Sequence, residues 1–266
     1  MAPAGLLIFI SSFVALVPDA TKASMVPPHA RDPTISASTA RRWYSVFGPS
    51  LDLLGIFEDA PRQRALDLAG VGEKAHLRVL ELGPGTGRFA ARMLESAAAA
   101  GNPLGDYQAI ELTPRMAQMS QDRVEQAGGK RQAVRVGNAA VDDGVWPPDA
   151  SVDLIVAFYV LDLLSEDHGA AILARAARAL APGGILLAVS ICPGNGSWPS
   201  NALMGAWTRM ARAVPALLGG CRPIQLFTLV DRAGWQARER EVMSCFGYTS
   251  EIVVASLTRV PGGGVR

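Results

Sequence analysis

Downstream of Leu77 the chain alternates short apolar runs with stretches whose apolar residues recur every three or four positions. The runs predict strands at Leu77–Leu82, Tyr107–Leu112, Gln132–Gly137, Val152–Val160 and Ile185–Ile191. The spaced stretches predict helices at Arg88–Ala100, Thr113–Ala127 and Ser165–Leu180, with Thr113 and Ser165 as N-caps and Pro114 at the first helical position. Val152–Val160 is almost continuously apolar, as a strand covered on both faces requires. This βα alternation predicts an α/β fold with a doubly wound, mostly parallel sheet. The tail breaks the rhythm. After a helix at Pro223–Gly234, two strands, Trp235–Cys245 and Glu251–Leu257, follow with a short connection, which predicts an antiparallel addition at one edge. Upstream, Trp43, Val46 and Phe47 mark a helix that begins at Ser36 and is stopped by Gly48-Pro49. One or two further helices fill Ser50–Gly70, and Pro27-Pro28 and Pro33 read as a linker.

Composition narrows the class. Of 266 residues, 49% are hydrophobic and 18% charged, and the formal net charge is +1. A chain of this size buries a sizeable core without disulfides, and it has no strong field to attract nucleic acid. Cys192, Cys221 and Cys245 form neither a disulfide framework nor a metal-binding pair, which favours a reducing compartment. His29, His76 and His168 are isolated, so no metal site is expected.

The apolar stretch Gly5–Val17 stands apart. Its 13 residues are too few to cross a bilayer unaided, which takes about 20. It reads as a targeting segment, a shallow membrane anchor, a helix docked on the domain, or sequence upstream of a start at Met25. No lysine or arginine precedes it, which argues against a secretion signal.

The chief chemical signal is Val79-Leu-Glu-Leu-Gly-Pro-Gly-Thr-Gly-Arg88, where glycines 83, 85 and 87 fall between a strand and a helix. Such a loop lets backbone N–H groups approach a ligand and aims the helix N-terminus at it. The third glycine comes one residue too early for a dinucleotide fingerprint. Glu81 would repel a pyrophosphate but suits an ammonium group. Glu111, at the end of the second strand, can accept hydrogen bonds from both ribose hydroxyls of an adenosine. Together the two acids describe S-adenosylmethionine.

Residues 77–191 resemble a class I S-adenosylmethionine-dependent methyltransferase. Val79–Gly87 matches the first motif, Ala109–Leu112 the acidic end of strand two, and Leu180-Ala-Pro-Gly-Gly-Ile185 the segment before strand five. Within that superfamily the chain is similar to ubiquinone/menaquinone-type small-molecule methyltransferases. The resemblance implies a Rossmann-like seven-stranded sheet of order 3-2-1-4-5-7-6 with strand seven antiparallel. It also implies an apolar segment and linker over 1–35, a helical cap over 36–76 and a methyltransferase domain over 77–260, with 193–222 as an insertion. The cofactor-binding set it implies is Glu81, Gly83, Pro84, Gly85, Thr86, Gly87, Glu111, Leu112, Asn138, Ala139 and Phe158. Asn138 stands where the family often has an adenine-binding aspartate. Asp142 and Asp143 nearby leave a second register open.

At the acceptor end, Tyr159 and Asp162 follow strand four, where ligands of open α/β sheets bind. They read as catalytic groups or as a packing tyrosine and a helix-flanking acid. Tyr44 resembles the tyrosine that closes over the cofactor in quinone methyltransferases, or is a buried helix aromatic. His168 and Cys192 are weaker candidates of the same kind. Leu203, Trp207, Met210, Val214 and Leu217 form a helical stripe, read as a helix packed on the sheet edge or as a lid for an apolar, lipid- or quinone-like acceptor. The strand-four motif of nucleic-acid and protein-glutamine methylation, Asn/Asp-Pro-Pro-Tyr/Phe, is absent. The expected activity is methyl transfer to a small, hydrophobic acceptor in the cytoplasm, with organelle targeting or peripheral membrane contact as alternatives. The rivals are an NAD(P)-dependent oxidoreductase, disfavoured by Arg88 and the lack of Tyr-x-x-x-Lys, and a catalytically silent S-adenosylmethionine-binding protein.

Overall fold

The alternating runs fold into one seven-stranded sheet, seen in a computed structural model that describes residues 34–130 and 133–257. The readings made for Gly5–Val17 lie outside the described residues. The strands are β1 (Arg78–Leu82), β2 (Asp106–Glu111), β3 (Val134–Val136), β4 (Val152–Phe158), β5 (Leu180–Ile191), β6 (Trp235–Cys245) and β7 (Tyr248–Leu257). Their order is β3-β2-β1-β4-β5-β7-β6. The first five pair in parallel, and β7 runs antiparallel to both β5 and β6. Order and direction agree with the sequence expectation.

The helices are α1 (Ala37–Phe47), α2 (Gly55–Leu68), α3 (Arg88–Ala99), α4 (Pro114–Gln126), α5 (Glu166–Ala179), α6 (Trp198–Ala213) and α7 (Leu226–Arg232). Strand alternation divides the core between the two faces of the sheet. Leu80, Ile155 and Leu186 pack with Leu173 and Ala176 of α5 and Val230 of α7 on one face. Val79, Leu154, Val156 and Leu187 pack with Ala65 and Leu66 of α2 and Phe89 and Met93 of α3 on the other. Each fully buried Leu, Ile or Val contributes roughly 1.5–3 kcal/mol, an upper figure.

Four boundaries differ from expectation. Gly48-Pro49 ends α1, yet the chain continues as a 3-10 helix over Gly48–Leu54. Val152 pairs with Leu180 before a register shift to the Leu154–Ile185 pair, so Pro182-Gly183-Gly184 is an irregularity inside β5 rather than a loop before it. β4 stops at Phe158 because Tyr159 turns to φ 54°. Phe246 (φ 51°) and Gly247 (φ 87°) make a two-residue hairpin, so β7 starts at Tyr248, three residues early. Thr113 occupies the N-cap of α4 but its side chain makes no capping bond, whereas Ser165 caps α5 by accepting from His168 N.

Candidate functional site

The carboxyl ends of β1, β2 and β4 open into a cavity of about 620 Å³, within the range of small-molecule sites. Its floor is the loop after β1. Gly83, Gly85 and Gly87 all adopt left-handed backbone (φ 63°, 61° and 75°). Gly87 is fixed twice over, because a Cβ there would lie 2.5 Å from the Ser120 Cα of α4. The loop can therefore turn tightly beneath a ligand and present the N-terminus of α3 to it.

Two buried carboxyls flank the loop. Glu81 accepts a hydrogen bond from the Tyr107 hydroxyl at 2.7 Å, and burial pushes its pKa up. Glu111 accepts from Gly85 N at 3.2 Å with one oxygen and from Thr113 N at 2.9 Å with the other. Burial outweighs those bonds and pushes it up to about 7. Asn138 Oδ1 accepts from Ala140 N at 3.1 Å, which fixes the side chain in the loop after β3. Asn138 lines the cavity, whereas Asp142 accepts from Gly144 N and Asp143 binds Arg175. Pro84, Thr86, Leu112, Ala139 and Phe158 line the cavity as well.

Arg88, the residue that spoiled the dinucleotide pattern, reaches back to α2. Its guanidinium donates to both oxygens of Asp59, at 2.9 and 2.5 Å, and Arg92 joins the same carboxylate. Beside it, Thr86 Oγ1 donates to Asp52, which also receives Arg123 Nη2 at 2.9 Å. The N-terminal helices are thus tied by charge to the glycine loop and to α4.

The other half of the cavity is roofed by segments from opposite ends of the chain. Ile35, Ala40, Trp43 and Tyr44 come from α1 and its approach; Leu203, Trp207 and Met210 come from α6, with Leu217 and Leu218 beyond it. Tyr44 lines the cavity and joins the two, its hydroxyl donating to Gly219 O at 3.3 Å. The stripe read along the sequence faces inward at four of five positions. Val214 is the exception. It is exposed, because α6 ends at Ala213 and Pro215 begins a 3-10 turn.

The remaining candidates separate. Tyr159 lines the cavity and its hydroxyl is 2.8 Å from Ser250 Oγ. Asp162 is fully buried behind the wall. Its Oδ2 accepts from the Cys221 thiol at 3.3 Å, Oδ1 has no hydrogen-bond partner among the described residues, and burial pushes its pKa up to about 7. His168 stands exposed at the rim. Cys192 is buried away from the cavity, with its thiol pushed up to about 12 by burial. Among the described residues no cluster of His, Cys, Asp and Glu is arranged to hold a metal, and no helix is long and apolar enough to cross a membrane.

Sequence reasoning missed a polar cluster in the roofed half. Glu58 of α2 accepts from Arg62 at 2.7 Å and from the Tyr248 hydroxyl at 3.3 Å. The Arg62 guanidinium lies 5.1 Å from the ring centre of Tyr159 and 5.6 Å from that of Phe89. The signal was a Glu-x-x-x-Arg pair spanning Pro61, which looks like an ordinary surface pair until β7 delivers Tyr248.

Comparison with known proteins agrees with this geometry. A family model described as "Methyltransferase domain" matches residues 79–184. No curated protein matches the chain. Among solved structures, the [4+2]-cyclase SpnF superposes with TM-score 0.59 at 16% identity, covering 84% of this chain and 96% of its own. Magnesium protoporphyrin IX methyltransferase from Synechocystis PCC 6803, with bound S-adenosylhomocysteine, gives 0.53 at 14% identity, covering 75% and 82%. The N-methyltransferase NodS from Bradyrhizobium japonicum WM9, also with S-adenosylhomocysteine, gives 0.51 at 16% identity, covering 73% and 85%. Residues 79–184, the segment that builds the glycine loop and Glu111, therefore match a methyltransferase domain, and the fold is the one these solved structures share.

Proposed function

We propose that the chain transfers a methyl group from S-adenosylmethionine to a small, largely apolar acceptor by direct displacement. The observation that carries this is one cavity with two unlike halves, a glycine loop flanked by buried acids at one end and an apolar double roof at the other. The residues fit the donor. Glu81 would face its ammonium group, the loop backbone over Gly83–Gly87 its amino-acid end, and Glu111 its ribose hydroxyls. Leu112, Ala139 and Phe158 would enclose the adenine, with Asn138 at its exocyclic amine. When bound, the sulfonium supplies an electrophilic methyl group. The protein's part is then alignment and exclusion of water. Tyr159 and Tyr44 stand where the acceptor would lie. Asp162, behind the wall, would act through Cys221 rather than touch it.

Calorimetry with S-adenosylhomocysteine and with NADH tests the reading, followed by Glu111→Ala. Micromolar binding of S-adenosylhomocysteine, lost in the variant, is expected; binding of NADH alone would overturn it. A second reading, a cofactor-binding protein that does not methylate, draws on the cyclase neighbour, since one fold hosts different chemistries. Labelled methyl passing to no component of an acceptor extract would favour that reading.

A further inference from the structure

The roofed half holds one carboxyl for which the donor leaves no use. Among the described residues four carboxyls line the cavity, and three are engaged with the donor half: Asp52 with Thr86 and Arg123, Glu81 with Tyr107, and Glu111 with the backbone of Gly85 and Thr113. The fourth is Glu58. Its side chain is 12% exposed. Arg62 holds Oε2 at 2.7 Å, while Oε1 meets the Tyr248 hydroxyl at a long 3.3 Å. That leaves Oε1 with unused accepting capacity on the cavity side. Burial pushes the Glu58 pKa up, against the pull of Arg62.

The surroundings narrow what meets Oε1. The Tyr248 ring sits 5.7 Å from Phe57, 6.5 Å from Tyr159 and 5.8 Å from Trp207, so flat aromatic surface adjoins the carboxyl. Opposite lies the apolar stripe of α6. Arg62 already neutralises Glu58, so the chamber offers no net charge to draw in an ammonium group, and a carboxylate or phosphate would meet Glu58 head-on. A neutral ring bearing a hydroxyl fits both constraints. A hydroxyl is also the nucleophile that needs such a group. It must shed its proton as the new bond forms, whereas an amine attacks with a lone pair it already has. The other three carboxyls are held by the partners named above, and His168, also on the cavity wall, is exposed at the rim, where water competes.

We propose that the acceptor is an apolar phenol-like compound and that Glu58 Oε1 is the catalytic base that takes its hydroxyl proton. This rests on the methyltransferase reading and adds the acceptor class. Glu58 accepts the proton while the hydroxyl oxygen bonds to the methyl carbon; the carbon–sulfur bond breaks and its electron pair stays on sulfur. An aryl methyl ether and a neutral thioether result, and Glu58 later returns the proton to water.

The test uses the full chain loaded with S-adenosylhomocysteine. Calorimetry compares 1-naphthol with 1-methoxynaphthalene, which has the same rings but no hydroxyl to donate. Wild type is expected to bind the naphthol about tenfold tighter, and Glu58→Gln to cut that preference to about threefold, the difference between a charged and a neutral acceptor. With labelled S-adenosylmethionine, wild type should form the naphthol methyl ether. Glu58→Gln should lower kcat by about 100-fold or more while binding S-adenosylhomocysteine as wild type does. Equal wild-type affinity for naphthol and its ether overturns the proposal, and decides the matter even if the Gln variant fails to fold. So does a Gln variant that methylates naphthol at the wild-type rate. A wild type that binds no S-adenosylhomocysteine is a distinct result, which removes the methyltransferase reading as well.

Discussion

Asp162 carries a cost that one substitution should expose. It is completely buried, one oxygen has no partner among the described residues, and burial pushes its pKa from the ordinary 3.8 up to about 7. The folded state therefore binds more protons than the unfolded chain between those values. Stability is full below about 3.8 and is lost as pH rises through 7, a penalty of about 4 kcal/mol by pH 8. Asp162→Asn removes the charge and keeps a carbonyl for the Cys221 thiol, but buries an amide N–H₂ at a cost of about 1–3 kcal/mol. The variant should be about 2 kcal/mol more stable than wild type at pH 8. At pH 5 the wild-type penalty is only about 2 kcal/mol, so the gain should vanish or reverse, a swing of about 2–3 kcal/mol. Urea unfolding of both proteins at the two pH values measures it. A stability difference that is the same at pH 5 and pH 8 would refute a buried, ionising Asp162.

Three further outcomes are expected. On the proposed function ribose hydroxyls would donate to Glu111 and favour its ionised form, whereas burial in the free protein pushes the carboxyl up to about 7. S-adenosylhomocysteine binding at pH 6 should therefore release protons, seen as a buffer-dependent heat in calorimetry and abolished by Glu111→Gln; a heat independent of buffer contradicts the assignment. Gly87→Ala places a methyl against the Ser120 backbone in a left-handed conformation and should cost more than about 2 kcal/mol; an unchanged urea midpoint would show that the loop yields. Asp59→Asn weakens the tie of α2 to Arg88 and Arg92 and should cost about 1 kcal/mol while speeding S-adenosylhomocysteine release severalfold in stopped flow. An unchanged release rate would mean that this tie does not hold the ligand in.

What the chain announces and what it hides follow one physical division. β4 was legible because burial on both faces demands a nearly unbroken apolar run, and the glycine loop because tight turning demands glycine at fixed spacing. Both are local demands. β5 was misjudged at its start because Pro182-Gly183-Gly184 is a turn signal in isolation, and pairing with β4 overrides it. The acceptor half was hidden for a different reason. Glu58 and Tyr248 lie 190 positions apart, and neither residue type is unusual where it stands. Tyr44, Glu58, Arg62, Trp207 and Tyr248 all fall outside residues 79–184, so the family match speaks for the donor half.

The roof's construction also sets a timetable for the nascent chain. Tyr44 and Gly219 meet across 175 residues. At roughly 5–20 residues added per second, the first half of the roof waits about 10–35 s on the ribosome for the second. During that interval Trp43, Tyr44 and Glu58 have neither α6 nor β7 to cover them. The glycine-loop half is thus complete in sequence well before its roof, and the roofed half of the cavity can close only when β7 emerges.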